Sequence, residues 1–131
     1  MEIRIGIGKT EKKENKNFDT EKKILLNLLE YLDNEYKTNN FNIVQNSIDY
    51  TTLKYKNFDI VRLKYTSKTK WIKLFLTPSD KYIYTSDDLF SVQKNKNEFY
   101  WKSLLNNEED IIKYINIIRN CINYIIKQNN Y

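Results

Sequence analysis

"DIVRLKYTSKTKWIKLFLT", residues 59–77, is the stretch whose reading decides the fold. Apolar and polar residues alternate on both sides of a short polar break, the period of two expected of half-buried strands. In "IVRLKY" the set Val61, Leu63 and Tyr65 shares one face, leaving Ile60, Arg62 and Lys64 on the other. In "WIKLFL" the set Ile72, Leu74 and Leu76 shares one face, leaving Trp71, Lys73 and Phe75 on the other. Turning both apolar sets toward one core fixes the register, because a one-residue slip inverts every side chain. With "TSKT" (66–69) as the turn, Leu63 pairs with Ile72 and Val61 with Leu74. On the opposite face Lys64 then meets Trp71, and Arg62 meets Lys73.

Outward from this hairpin the pattern alternates between strand and helix. "TTLKY" (51–55) and "FNIVQNSIDY" (41–50) precede it as further strands, with Lys56-Asn57 placed for a tight turn. From about Asp19 to Lys37 the spacing changes to that of a helix. Leu25, Leu28, Leu29, Leu32 and Tyr36 form its apolar stripe, and Glu21, Lys22, Lys23, Glu30 and Glu35 are available for the wet side. Asp19 or Thr20 is the expected N-cap. Ahead of it, "EIRIGIG" (2–8) reads as a short strand and "KTEKKENKN" (9–17) as a mobile charged loop.

Beyond the hairpin, "TPSD" (77–80) suits a type I turn. "KYIYT" (81–85) and "EFYWKSLL" (98–105) read as shorter strands, while residues 85–98 as a whole give no assignable pattern. Asn106 or Asn107 then caps a second helix that opens on Glu108, Glu109 and Asp110. Ile111, Ile115, Ile118, Ile122 and Ile125 mark its apolar stripe, flanked by Tyr114, Cys121 and Ile126. The expectation is a single α+β domain spanning 1–131. It is a two-layer sandwich, an antiparallel meander with an N-terminal and a C-terminal amphipathic helix packed on one face.

Composition removes most catalytic chemistries. The 131 residues contain no histidine and one cysteine, so neither a zinc site of the usual ligands nor a Ser-His or Cys-His nucleophile can be assembled. A lone Cys121 forms no intrachain disulfide, and on the apolar side of its helix it reads as a small buried hydrophobe. "GIGKT" (6–10) resembles the end of a P-loop, but the leading glycine of that pattern falls on Ile3 and a polar run follows instead of a helix. Glu108, Glu109 and Asp110 read as helix-start acids rather than as a metal site. Asp59 begins a strand, yet no acid-x-lysine follows on the next one, as a metal-dependent nuclease would need. The expectation is a chain that is not an enzyme, with no cofactor and no metal. No run approaches the ~20 apolar residues of a membrane span, and "MEIRIGIG" is unlike a signal peptide, so the expected location is cytoplasmic.

What remains is charge. Lys, Asn, Ile and Tyr have AT-rich codons, and only Arg4, Arg62 and Arg119 of the 22 basic residues are arginine, as codon drift would give. Drift, however, spreads lysine evenly. Residues 54–73 carry Lys54, Lys56, Arg62, Lys64, Lys68, Lys70 and Lys73 against Asp59 alone, more positive charge than the +5 of the whole chain. Arg62 opposite Lys73 sets like charges side by side, which is destabilising unless they splay into water or meet an anion. Lys64 beside Trp71 suggests a cation–π contact. Lysines on strands are also a common defence against edge pairing, and a solvated face with one or two rings is ordinary.

The expected function is a small non-enzymatic module that holds nucleic acid, RNA or single-stranded DNA. Arg62, Lys64, Lys68, Lys70 and Lys73 would take phosphates, with Trp71 and Phe75 as stacking surface. The competing expectation is an inhibitor or immunity-type protein of a phage or mobile element. Such a protein, for example one blocking a host nuclease or a CRISPR effector (an anti-CRISPR), would act on a protein or nucleoprotein target. Eleven tyrosines suit such an interface.

Overall fold

The expected hairpin register is the one the protein adopts. In the computed structural model, which describes residues 4–7, 15–32, 35–45, 48–75, 77, 91–95 and 98–129, Leu63 pairs with Ile72, Val61 with Leu74, Lys64 with Trp71 and Arg62 with Lys73. The strands are β1 (Arg4–Ile7), β2 (Phe41–Gln45), β3 (Thr51–Tyr55), β4 (Phe58–Tyr65), β5 (Lys70–Phe75), β6 (Ser91–Asn95) and β7 (Glu98–Leu104). They form one sheet in the order β1-β2-β3-β4-β5-β7-β6. The run from β2 through β5 to β7 is antiparallel, and β1 joins the β2 edge in parallel. That parallel pairing requires a crossover, which α1 (Phe18–Glu30) supplies. The fold is α+β, with α1 and the C-terminal α2 (Ile115–Asn129) packed on the same face of the sheet.

Alternation builds that packed face. Ile43, Leu53, Leu63, Ile72 and Trp101 are wholly buried under Leu25, Leu28 and Leu29 of α1 and Ile118 and Ile122 of α2. Cys121 is buried among them. The expected caps are met unequally. Asn107 caps the second helical segment, accepting from the Glu109 amide, and Asp110 reaches back to the Asn106 and Asn107 amides. Those amides, Asn106 first, hold the Asp110 carboxyl below its ordinary pKa. The segment begins as a 3-10 helix, Glu108–Tyr114, before turning α-helical. At the other helix, neither Asp19 nor Thr20 is the cap: α1 starts at Phe18, with Asn17 in the cap position and no side-chain cap bond. It also ends at Glu30 rather than Lys37, though Tyr36 still meets Phe41 and Tyr55 edge-on at 6.4 and 6.1 Å.

Two further expectations are overturned. Ile60 does not share the face of Arg62 and Lys64 but is buried in the core. The ladder between β3 and β4 shifts at Leu53/Lys54, so that Leu53 pairs with Val61 while Lys54 pairs with Asp59. One extra residue on β4 is a β-bulge, and it turns Ile60 inward beside Val61. Glu21, expected on the wet side of α1, is fully buried. Its Oε1 accepts from Thr51 Oγ1 (2.7 Å) and Asn15 Nδ2 (2.8 Å), and its Oε2 accepts from the Tyr65 amide (2.7 Å). The carboxylate therefore completes the end of the β4 ladder and ties down Asn15, at the end of the charged 9–17 run. Burial pushes its pKa up, against those hydrogen bonds and the charge of Lys64. Residues 9–14 of that run, Leu76, most of "TPSD" and all of "KYIYT" lie outside the described residues. So do residues 86–90 and 96–97 of the unassigned stretch, within which β6 forms.

The β3–β4 turn at Lys56-Asn57 has φ of 52° and 74°. Both residues are left-handed, as the two-residue turn that matches strand twist demands.

Candidate functional site

The face of the sheet turned away from the helices carries the basic residues. Arg62 of β4 lies directly opposite Lys73 of β5, and Lys73 lies directly opposite Lys102 of β7. Three cations thus sit in one row across three strands. Like charges so placed repel, and the fold sets rings against all three. The Arg62 guanidinium lies over Tyr50 at 5.4 Å and over Phe75 at 5.0 Å. The Lys73 ammonium lies 5.0 Å from Trp71 and 5.0 Å from Tyr100, and the Lys102 ammonium is 5.3 Å from Trp71. Each such contact contributes ~0.5–2 kcal/mol, rising with desolvation. Tyr50 also tilts against Trp71 at 5.9 Å, and Phe75 against Tyr100 at 5.7 Å.

Asp59 is the one carboxylate that β3, β4 and β5 contribute, and the bulge at Ile60 brings it to this face. Without the extra residue, alternation would place Asp59 on the core side with Val61. Here it accepts from Arg62 Nη2 at 2.9 Å and pairs with Lys54 at 3.3 Å. Arg62 Nε is buried with no hydrogen-bond partner. Among the described residues no carboxylate lies within ion-pair distance of Lys73. Burial holds the Lys73 ammonium below the ordinary lysine pKa, and the charges of Lys102 and Arg62 push it the same way.

Of the residues singled out in the sequence, Arg62, Lys64, Trp71, Lys73 and Phe75 share this face. Lys68 stands apart in the exposed 66–69 turn. Lys70 lies on the opposite side of β5, its ammonium 5.3 Å from the Tyr65 ring and near the Ser67 carbonyl. The expected contact between Lys64 and Trp71 is replaced by Lys73 and Lys102 over that ring, although the register pairs Lys64 with Trp71 as expected. Trp71 is also not an open stacking surface, since it is 7% exposed. Tyr50, Tyr100, Lys102 and Lys54 belong to the layer without having been singled out. For Tyr100 and Lys102 the signal was the alternation of "EFYWKSLL", but nothing local shows that this strand lies beside β5.

Elsewhere, a cleft of about 220 Å³ between α1 and the 3-10 segment is floored by Ile24, Leu28 and Ile111 and edged by Glu30, Glu108 and Glu109. Among the described residues no group of three or more Cys, Asp or Glu side chains could hold a metal ion, and no helix is long and apolar enough to cross a membrane. No protein-family model, no curated protein and no solved structure matches this chain.

Proposed function

We propose that this chain is a non-enzymatic binding module, acting in the cytoplasm, that grips single-stranded nucleic acid (RNA or DNA) through the cation layer on its outer face. The observation that carries this reading is the row Arg62–Lys73–Lys102, three cations opposed across neighbouring strands, with Lys54 and Lys64 on the same face and Asp59 the carboxylate among them. A run of phosphates suits such a row, because phosphate charge offsets repulsion between neighbouring cations. The rings support the cations from below, so the phosphate backbone is the part of the ligand met first.

Titration of fluorescent single-stranded RNA and DNA at two salt concentrations tests this. The affinity is expected to fall steeply with salt, with a logarithmic slope of about 0.7 per phosphate neutralised. Absence of binding at low salt overturns the proposal. That outcome would favour the second reading, an inhibitor of phage or mobile-element type that docks on a protein target. Leu104 supports that alternative: it is 76% exposed beside Trp71 and offers an apolar contact that a phosphate backbone does not use.

A further inference from the structure

Trp71 is the ring that two lysines occupy. The ammonium groups of Lys73 and Lys102 both lie within 5.3 Å of its centroid, and Tyr50 leans on it at 5.9 Å. A cation over a ring is held by the ring's quadrupole, a weak attraction where water reaches it. A charge-assisted hydrogen bond from an ammonium to an ionised phosphate oxygen is stronger and also relieves the repulsion between neighbouring cations. Between ring and phosphate, the phosphate is the stronger partner for an ammonium. What the lysines leave behind is an indole face of the size on which one base stacks.

We propose that Trp71 is a latent base-stacking platform, covered by Lys73 and Lys102 in the free protein and uncovered when a nucleic-acid phosphate draws those two side chains away. The inference rests on the nucleic-acid reading above and deepens it. Backbone contact and base contact become consecutive, and the protein tells single-stranded nucleic acid from other polyanions by whether a base follows the phosphate. Duplex, whose bases are already stacked, would engage the cations alone.

The chain has two tryptophans, Trp71 and Trp101, and Trp101 is fully buried in the helix-side core. Tryptophan emission, excited beyond the tyrosine band, therefore reports the outer face above a constant background. The full-length protein is titrated with an oligothymidylate and, separately, with inorganic polyphosphate, while binding is followed independently by anisotropy or calorimetry. The oligonucleotide is expected to quench most of the Trp71 emission. Polyphosphate is expected to bind and shift that emission to longer wavelength without quenching it, because the ring is uncovered but nothing stacks. In Trp71→Phe the oligonucleotide quenching should vanish while binding persists, weakened several-fold.

Equal quenching by both polyanions, oligonucleotide binding with no change in Trp71 emission, or quenching that survives in Trp71→Phe would each overturn the platform while leaving phosphate binding intact. If neither polyanion binds at low salt, the nucleic-acid reading itself fails and the platform with it. A circular-dichroism spectrum matching the wild type shows that Trp71→Phe is folded; if it is not, the two-polyanion comparison on the wild type decides alone.

Discussion

The two faces of this sheet are made from the same strands and solve opposite problems. On the helix side, Val61, Leu74 and Trp101 lie in one row across β4, β5 and β7 and need nothing but apolar cover, which α1 and α2 supply. On the outer side, one residue away along the same strands, Arg62, Lys73 and Lys102 repel one another, and four rings hold them in place. Burial explains the first face completely. On the second, Asp59 meets Lys54 and Arg62, while among the described residues no carboxylate lies within ion-pair distance of Lys73, and it is there that the proposed ligand would act.

Substitutions on the two faces should separate these roles. The largest effect belongs to the apolar side: Leu63→Ala should cost about 2–5 kcal/mol in denaturant unfolding, from lost burial and the cavity it leaves. Comparable folding losses from truncating outer-face cations would erase the contrast between the faces.

Glu21 is the polar exception on the apolar side and gives the next effect. Glu21→Gln retains the shape but sets an amide against at least one donor, and should cost about 1–3 kcal/mol. Because burial raises the folded pKa above the unfolded value, this carboxyl's contribution to stability is full below the ordinary carboxylate range. It is lost as pH rises through the raised folded value. Acidifying from neutral pH toward that range should thus stabilise the wild type relative to Glu21→Gln. Thermal melts of both proteins across that window check it; a gap that narrows on acidification, as the variant gains on the wild type, would show the sign to be wrong.

Lys73→Met probes the outer face alone. It removes one repelling charge and two ring contacts, so stability should stay within about 1 kcal/mol of wild type, while the salt slope of nucleic-acid binding drops by about 0.7. The smallest effect touches neither face. Asn57 sits at φ 74° in the β3–β4 turn, and Asn57→Gly should raise stability by at most about 1 kcal/mol, with binding unchanged.

How much of this was legible beforehand differs by element. The β4–β5 register was readable because Val61, Leu63, Ile72 and Leu74 leave only one pairing that buries all four, and the cap at Asn107 because its partners are within three residues. Ile60 was misplaced because a bulge is set by the partner strand, not by the strand that carries it. Glu21 was misplaced because its partners, Thr51 and Tyr65, are 30 and 44 residues away. The like-charge pair Arg62–Lys73 was foreseen, but its third member was not, since Lys102 reaches β5 only after the intervening chain and β6. The rings as supports for the cations, rather than as open platforms, follow from packing that alternation does not encode.

The most direct test of the central claim, that the outer-face charge row holds a phosphate backbone, is the salt dependence of oligonucleotide affinity measured side by side for wild type, Lys73→Met and Arg62→Glu. The account predicts a steep slope for the wild type, a slope smaller by about one phosphate's worth for Lys73→Met, and binding lost for Arg62→Glu at salt where the wild type still binds. Three superimposable salt curves, or no binding by any of them at low salt, would contradict it.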